Sequence, residues 1–366
     1  MRIVQLANFY APASGGLRTT LDALGRGYTA AGHQRVLVVP GPGHARVWDR
    51  ENGLRLTLPG VRAGGGYRLL LSRTAVRRLL DRLAPDSLEV SDKLTLVHTA
   101  HWARQRGVRS VLFSHERLDA ILAPRLPARL PLGTAAGAWN RRLAAAFDAV
   151  VVTSAFARAE FDRVPAERVH RVPLGVDLSL FAPRPGARIP SGAVRLVHCG
   201  RLSAEKSPWL AVETLRELLR RGVEARLHIL GDGPQRRRLE RGAAGLPVRF
   251  LGHLADRRTV AAITAAADVA LAPCPVESFG LSALEALACG TPVVTADRGA
   301  ARELLAPGAG VAVPASPAAL ADGVAMVLAR PERQRRTAAR RRAEEFPWPA
   351  TVSRMLAVHS GQPPSA

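Results

Sequence analysis

The chain has 366 residues, of which 47% are hydrophobic, and its 52 Lys and Arg against 30 Asp and Glu give a formal net charge of +22. This length and apolar content fit a globular protein of two ordinary domains. No apolar run reaches the roughly 20 residues that cross a bilayer, so we expect no membrane-spanning helix. The N-terminus does not resemble a signal peptide, because it has no small-residue cleavage site.

Strands and helices alternate in the first half of the chain. A strand is predicted at residues 2–6, a helix at about 17–30 that ends before Gly32, and a strand over "RVLVV", which together form a β-α-β unit. Further strands are predicted at 110–114 and 149–154, with helical segments between them.

A linker rich in Pro and Gly is predicted near residues 180–192, and a second alternating series follows it. Its strands are predicted over "VRLVHCG", "ARLHIL", "VRFLG", "VALAP", "PVVTA" and "GVAV". Its helices are predicted at 207–221, 234–243, 257–266 and over "LSALEALA".

This alternation predicts an α/β protein with two doubly wound, Rossmann-like domains that face each other across a cleft. We predict a first domain at residues 1–182, a second at 193–345, and a closing helix at 346–360 that returns to the first domain.

The three cysteines have neither zinc nor redox spacing, which indicates packing residues in a reducing cytosol; they are Cys199, Cys274 and Cys289. The net charge favours an anionic partner. Nearly all the basic residues are Arg, however, in a chain rich in Ala, Gly and Pro, so composition explains the charge equally well.

Candidate binding residues follow the predicted strands, where doubly wound sheets bind ligands. Gly15 and Gly16 lie between the first strand and its helix, where glycine lets backbone N–H groups approach a phosphate. Their spacing fits neither G-x-G-x-x-G nor the Walker loop, and a Gly-Gly turn is more often structural. His115 ends a strand and could donate to a substrate oxygen, although a structural His is more common there.

Two cations follow the first strand of the second domain. The guanidinium of Arg201 and the ammonium of Lys206 suit a diphosphate. Lys206 and Lys93 are the only lysines in the chain. A solvated loop charge explains either residue equally well when it is considered alone.

Two acids flank the start of a helix in "ESFGLSALEALACG". Glu277 precedes a turn of Ser278, Phe279 and Gly280, where free helical N–H groups can hold sugar hydroxyls or an oxyanion. Glu285 lies two turns further on, in a nearly all-apolar helix, so a solvent-facing position is unfavourable. A carboxylate accepts two hydrogen bonds at once and therefore suits vicinal ribose hydroxyls.

In this order, these motifs resemble the retaining glycosyltransferases of family 4, which have the GT-B fold. The resemblance covers nearly the whole chain through "SGG", "SHERLD", "VVTSAFARAEF", "RVPLGVDLSLF", "GRLSAEKSP", "GDGP" and "VRFLGHL". The E-x7-E signature in "ESFGLSALE" is the most specific element. Leu174 departs from the pattern, because the family usually has Asn there.

The resemblance implies that the first domain lies on the acceptor side and that the second binds the nucleotide sugar. Arg201 and Lys206 would neutralise the leaving diphosphate, Gly16 with its neighbour Gly15 would approach a donor phosphate, and His115 would lie beside the transferred sugar and the acceptor.

The remaining roles implied by the resemblance also concern the donor. Glu285 would hold the ribose hydroxyls, and Glu277 would hold the donor sugar as a positioning group. The backbone of Phe279, Gly280 and Leu281 would assist Glu277, and the loop of Gly252, His253 and Leu254 would line the base pocket.

Such enzymes retain the anomeric configuration, and the implied route is front-face, with the leaving phosphate oxygen helping to deprotonate the acceptor hydroxyl. No cofactor and no metal ion for catalysis are implied, since the nucleotide sugar is a substrate. The chain also lacks an Asp-x-Asp metal motif.

Family 4 uses many donors, and the fold cannot select one. The stretches "QLANFYAPASGGLRTT" and "FSHERLDAILAPRLP" resemble actinobacterial mannosyltransferases that use GDP-mannose and act on phosphatidylinositol mannosides. This finer resemblance implies transfer of mannose to a lipid-linked acceptor.

The stretch "YRLLLSRTAVRRLLDRLAP" predicts a basic amphipathic helix. Its apolar side comprises Leu69, Leu70, Val76, Leu79, Leu80 and Leu83. Its basic side includes Arg73, Arg77, Arg78 and Arg82. Such a helix suits an anionic membrane, which predicts a cytoplasmic protein peripheral on the cytoplasmic membrane face. A core-packed helix with solvated arginines explains the pattern equally well.

Three alternatives stay open at this point. The chain could be a family 4 enzyme with another nucleotide sugar and a soluble acceptor. It could be a nucleotide-sugar epimerase or a sugar phosphorylase on the same two-domain plan. A basic nucleic-acid-binding protein fits the charge but lacks a recognised module, and aromatic residues are only 5%, so we expect no nucleic acid partner.

Overall fold

The computed structural model describes residues 1–10, 15–63, 67–115, 117, 132–184 and 192–364. The chain divides into two compact units, Met1–Leu174 with Trp348–Ala366, and Gly175–Pro347. Most of the predicted linker, residues 185–191, lies outside the described residues.

The first unit ends at Leu174 rather than at residue 182, because the residues after it are bound to the second unit. Val176 forms a parallel bridge with Pro347. The guanidinium of Arg340 donates to the carbonyls of Leu178 and Phe181, at 3.2 and 2.9 Å.

The first unit contains a mostly parallel sheet. Its strands, with those of a separate small hairpin, are β1 Arg2–Leu6, β2 Gln34–Gly41, β3 Ala45–Asp49, β4 Gly53–Pro59, β5 Val61–Ala63, β6 Tyr67–Leu69, β7 Ser87–Val90, β8 Arg109–Ser114, β9 Ala149–Val152 and β10 Val169–Arg171. Its helices are α1 Gly16–Ala30, α2 Arg73–Leu83, α3 His98–Gln105, α4 Leu132–Ala146 and α5 Ala155–Arg158. The sheet order is β10-β9-β8-β7-β1-β2-β4-β3, with β3 antiparallel to β4, and the hairpin pairs β5 with β6.

Four strands of this sheet escape the sequence prediction: β3, β4, β7 and β10. All five residues of β3 are exposed, so β3 lacks the apolar alternation that marks a half-buried strand. It is joined to β4 by a turn in which Asp49 Oδ1 accepts hydrogen bonds from the N–H groups of Glu51 and Asn52, both at 2.8 Å. The third strand, β7, is short and buries Ser87 and Glu89, which are not typical strand residues.

The amphipathic helix is shorter than the sequence predicts. Tyr67–Leu69 forms β6, and α2 begins at Arg73, after Ser72, whose Oγ accepts from the N–H of Ala75 at 3.3 Å. Leu69 and Leu70 therefore lie before the helix, because a short apolar run has no periodicity that separates strand from helix.

The second unit contains a fully parallel sheet. Its strands are β11 Val194–Cys199, β12 Ala225–Leu230, β13 Val248–Gly252, β14 Val269–Ala272, β15 Val293–Ala296 and β16 Gly310–Val313. Its helices are α6 Trp209–Arg220, α7 Arg236–Gly242, α8 Arg257–Ala266, α9 Leu281–Ala288, α10 Pro317–Leu328 and α11 Glu332–Glu344. The order β13-β12-β11-β14-β15-β16 is that of a doubly wound Rossmann sheet, which confirms the predicted fold class.

Each unit has its own apolar core. In the second unit, Leu215 of α6 and Leu320 of α10 are fully buried in a cluster with Leu227 of β12. Burying one such side chain contributes about 1.5–3 kcal/mol. Within the described ranges, none of the helices combines the length and apolarity that a bilayer crossing requires.

The last helix, α12 Trp348–Ser360, belongs to the first unit and packs on α1. A Cβ atom at Gly27 of α1 would lie 2.2 Å from Val352 Cγ2, so only glycine allows this approach. The hydroxyl of Thr351 donates to the carbonyl of Pro173 at 2.9 Å.

A buried polar cluster ties α12 to the sheet. Glu89 accepts hydrogen bonds from Gln5 Nε2 and the Tyr28 hydroxyl, both at 2.9 Å, and lies 3.1 Å from His359 Nε2. His359 Nδ1 lies 2.7 Å from Ser87 Oγ. Burial acts to raise the pKa of Glu89, but the charge and hydrogen bonds of its partners outweigh burial and lower it.

We predict that Glu89→Ala lowers the free energy of unfolding of the first unit by about 3–5 kcal/mol, because it leaves His359 and Tyr28 buried without their acceptor. Urea denaturation, with hydrogen exchange of the α12 amides to identify the unit, measures this change. Glu167→Ala removes an exposed carboxylate of the same unit and should unfold like the wild type. Equal stability of the two variants would contradict the role given to the cluster.

Candidate active site

The strand order of the second unit reverses beside β11. β11 pairs on one side with β12 and on the other with β14, through Leu196 opposite Val269 and Val197 opposite Ala270. The loops after β11 and β14 therefore begin side by side at the carboxyl edge of the sheet, which is where doubly wound folds bind ligands.

These two loops bring Lys206 and Glu277 together. Lys206 Nζ donates to Glu277 Oε2 at 2.8 Å, and the exposed side-chain fractions are 34% and 21%. Cys274 Sγ lies 3.1 Å from the carbonyl oxygen of Glu205 and joins the same loops. A partly exposed pair of this kind contributes only about 0–1 kcal/mol, so a ligand can replace either partner at little cost.

Arg201 follows β11 by two residues and is half-buried. The N–H of the next residue, Leu202, donates to the carbonyl of Asp232 at 3.0 Å and so anchors the β11 loop to the loop after β12. The structure thus holds Arg201 in the β11 loop that also carries Lys206.

Glu277 leads into the turn that starts α9. Gly280 precedes the helix with φ of 100°, a left-handed conformation that L side chains rarely adopt, and no side chain caps the helix. Phe279, which lies in this turn, is buried. Among the residues that the structure describes, no side chain accepts from the first N–H groups of α9, from Leu281 onward, so these groups can receive ligand oxygens.

Glu285 lies in the middle of α9, where only 7% of the residue is exposed. The guanidinium of Arg257, the first residue of α8, donates directly to Glu285 Oε1 and also lies 4.9 Å from the centre of the Phe181 ring. Burial raises the pKa of Glu285, and Arg257 opposes that shift. The sequence analysis places Glu285 in the site but misses Arg257.

The other loop of the predicted site follows β13. Gly252 ends this strand, and its carbonyl accepts a hydrogen bond from Gly231 at 2.8 Å. His253 is exposed and Leu254 half-buried. This loop leads through Asp256, the N-cap of α8, to Arg257 and so joins the predicted base pocket to Glu285.

The first unit holds the other predicted residues. Gly15 caps α1 without a side-chain hydrogen bond, and Gly16 is the first residue of that helix. His115 follows β8, and its Nε2 lies 3.1 Å from Ser91 Oγ. Burial, together with the charge of Lys93, lowers the pKa of His115 to about 3, so its ring is neutral at pH 7.

The basic face of α2 is exposed at Arg73, Arg77, Arg78 and Arg82. Its apolar face is not, because Val76, Leu80, Leu79 and Leu83 pack in the core of the unit. Of the two explanations that the sequence leaves open for the apolar residues, the structure supports core packing. Burial lowers the pKa of His98 to about 4, and the charges of Arg73 and Arg77 add to this shift.

Two family models match the chain. Residues 14–180 match the model described as Glycosyltransferase Family 4, and residues 193–330 match the model described as Glycosyl transferases group 1. The matches begin beside Gly15 and extend beyond Glu285.

One relative is the GDP-mannose-dependent alpha-(1-6)-phosphatidylinositol dimannoside mannosyltransferase of Mycobacterium tuberculosis (strain ATCC 25177 / H37Ra). It is 49% identical over 366 residues, which cover 98% of this chain and 96% of that protein.

Two solved structures share the fold. Sucrose-phosphate synthase from Thermosynechococcus elongatus has a TM-score of 0.82 at 22% identity and covers 99% of this chain and 98% of its own. The Anabaena protein HepE in complex with UDP and glucose has a TM-score of 0.75 at 17% identity and covers 99% of this chain and 100% of its own. Together with the full-length similarity to the mycobacterial protein and the E-x7-E signature at Glu277 and Glu285, these matches establish that the chain is a GT-B glycosyltransferase that belongs to family 4.

Proposed function

We propose that the chain transfers mannose from GDP-mannose to a phosphatidylinositol mannoside, with retention of configuration, at the surface of an anionic membrane. The observation that carries this proposal is the 49% identity over 98% of the chain to a protein named for that donor and that class of acceptor. The similarity spans both units and so includes both the predicted donor residues and the predicted acceptor side.

The donor would bind at the carboxyl edge of the second sheet. Glu285 would accept hydrogen bonds from the ribose hydroxyls, and the loop of Gly252, His253 and Leu254 would line the base pocket. Glu277, Ser278 and the backbone of Phe279, Gly280 and Leu281 would orient the mannose. Gly15 and Gly16 of the first unit would approach the phosphates through backbone N–H groups.

Transfer would follow a front-face route. The bond between the anomeric carbon and the diphosphate oxygen breaks as the acceptor oxygen bonds to the same face of that carbon, and the acceptor proton passes to the leaving phosphate oxygen. Negative charge grows on the diphosphate, where Arg201 and Lys206 stabilise it most. These two cations supply the positive charge that the departing diphosphate needs, so the proposal includes no metal ion and no cofactor.

Glu277 would act as a positioning group in this route rather than as a nucleophile. Its carboxylate lies 2.8 Å from the ammonium of Lys206, so it can hold that cation towards the diphosphate. His115, which is neutral because burial lowers its pKa to about 3, would offer a hydrogen bond to an oxygen of the sugar or acceptor without adding charge.

The acceptor membrane would face α2. Arg73, Arg77, Arg78 and Arg82 are exposed on this helix, and each basic residue near an anionic surface contributes about 1 kcal/mol. Because the apolar side of α2 is packed in the core, we propose attachment by charge, as a peripheral protein on the cytoplasmic face, rather than by insertion of the helix.

We predict that the purified protein, given membranes that contain phosphatidylinositol mannosides, moves labelled sugar into the lipid fraction from GDP-mannose but not from UDP-glucose or UDP-N-acetylglucosamine. Thin-layer chromatography with NMR of the product measures the transfer and should find an α-linked mannose. An isomerised donor, or release of sugar only with phosphate, would indicate an epimerase or a phosphorylase instead.

We predict that Lys206→Ala lowers kcat about 10²–10³-fold, because the cation acts where charge develops in the transition state. The KM for GDP-mannose should change much less, which steady-state kinetics resolves. Lys206→Arg keeps the charge and should recover part of the rate. A Lys206→Ala enzyme within threefold of the wild-type kcat would remove Lys206 from the proposed mechanism.

We predict that Arg77→Ser with Arg78→Ser weakens binding to vesicles of phosphatidylinositol and phosphatidylcholine about 30-fold, since two surface charges are lost. Vesicle flotation measures the binding, and affinity for GDP-mannose should not change. The matched control changes Arg237 and Arg238 of α7 to Ser, which removes two adjacent exposed arginines from the second unit. Equal loss in both double variants would indicate non-specific charge rather than a surface on α2.

A further inference from the structure

We propose that Arg257 is a positioning residue for ribose recognition, because it holds one oxygen of the Glu285 carboxylate and so directs the other towards the ribose hydroxyls of the donor. This inference rests on the proposed function, since it takes Glu285 as the group that binds the ribose.

The two oxygens of the Glu285 carboxylate have different surroundings. The Arg257 guanidinium donates to Oε1 of Glu285, whereas Oε2 makes no hydrogen bond to any residue that the structure describes. Glu285 is only 7% exposed, so few directions of approach to the carboxylate remain. A ligand that reaches the carboxylate would therefore meet Oε2, while Arg257 keeps Oε1 satisfied.

Arg257 is itself held from two sides. Its guanidinium lies 4.9 Å from the centre of the ring of Phe181, which is buried. Its backbone starts α8 directly after Asp256, whose carboxylate accepts from the N–H groups of Arg258 and Thr259, at 3.0 and 3.1 Å. The capped backbone fixes the position from which the side chain extends, and the aromatic face favours the orientation in which the guanidinium reaches Glu285.

Phe181 provides the aromatic ring against which the Arg257 guanidinium lies. It ends the stretch "GVDLSLF", and the guanidinium of Arg340 binds its carbonyl at 2.9 Å. The segment before the second sheet thus provides the surface on which Arg257 rests, and it is connected through Arg257 to Glu285.

The charge of Arg257 also controls the ionisation of Glu285. Burial raises the pKa of Glu285, and Arg257 lowers it by its charge and its hydrogen bond. The other titratable groups that sense Glu285 are Cys199 on β11 and Cys289 after α9, and burial raises the pKa of each thiol to about 12. Both thiols are neutral at pH 7, so Arg257 is the charged group that favours the ionised form of this acid, which accepts hydrogen bonds without donating one.

A competing geometry makes the opposite prediction. If Arg257 blocked the carboxylate instead of positioning it, the ribose would have to displace the guanidinium. Removing Arg257 would then tighten nucleotide binding, so the sign of the change in affinity separates the two.

Calorimetric titration of the full chain with GDP and with 2′-deoxy-GDP tests the proposal. A hydrogen bond from a ribose hydroxyl to an ionised acid should make the wild type prefer GDP about 10- to 100-fold. Arg257→Ala should reduce this preference to less than about threefold and weaken GDP binding, while 2′-deoxy-GDP binds almost as in the wild type. Arg258→Ala, which removes the exposed neighbouring arginine, should keep the full preference.

The pH dependence gives a second readout, which a merely structural role would not move. Without Arg257, the pKa of Glu285 rises further, so the GDP affinity of Arg257→Ala should already fall on mild acidification. The wild-type affinity should fall only at lower pH. Arg257→Lys restores a cation and should return the profile towards that of the wild type.

The outcomes separate this inference from the proposed function. If Glu285→Gln loses the preference for GDP but Arg257→Ala keeps it, or binds GDP more tightly, the positioning role is wrong and the ribose site stands. If the wild type shows no preference, or does not bind GDP, the assignment of Glu285 fails and the positioning role fails with it. Circular dichroism should show that Arg257→Ala is folded at the temperature of the titration, with a thermal midpoint below that of Arg258→Ala because the buried Glu285 has lost its cation.

Discussion

The reversal of strand order beside β11 is the constraint on which the site of the second unit depends. Since β14 is hydrogen-bonded to β11 in parallel, both strands end at the same edge of the sheet. Because the strand order reverses between them, the loops that follow these two strands lead in different directions. Lys206 and Glu277 are 71 positions apart in the chain, yet their side-chain atoms lie 2.8 Å apart. The contact needs two separate loops, and the sheet holds the start of each loop in place. The Lys206–Glu277 pair is therefore assembled by the sheet topology, with the cation from the loop after β11 and the acid from the loop after β14.

The two acid–cation pairs of the candidate site differ in the burial of the acid, and that difference suits different tasks. The Lys206–Glu277 pair has side chains 34% and 21% exposed, so water screens it and an incoming anion can share the ammonium. The Glu285 side chain is only 9% exposed, and a buried acid left without its cation is strongly unfavourable. We infer that the first pair can exchange partners during a reaction, whereas the second persists as part of the frame that surrounds the ligand.

The sequence predicts what depends on local pattern and fails where distant segments meet. The strands and helices of the second unit follow from alternation, and the burial of Glu285 follows from its apolar neighbours. The contact of Arg257 with Glu285 does not, because it arises when the start of α8 lies against the middle of α9. The sequence wrongly predicts a helix at Leu69 and Leu70, because a short apolar run fits the periods of both strand and helix. The exposed strand β3 carries no apolar alternation and is defined only by its pairing with β4.

The net charge of +22 is by itself a poor guide to function, because many arginines serve the fold. Arg336 donates to the carbonyls of Ala265, Ala267 and Gly290, and Arg340 to those of Leu178, Phe181 and Ala288. Guanidinium groups at these places satisfy carbonyls that helix ends and loops leave without partners. The guanidinium groups of Arg73, Arg77 and Arg78 on α2 make no hydrogen bond or ion pair to the residues that the structure describes. These three side chains lie on one helix and are not occupied by the fold, unlike those of Arg336 and Arg340.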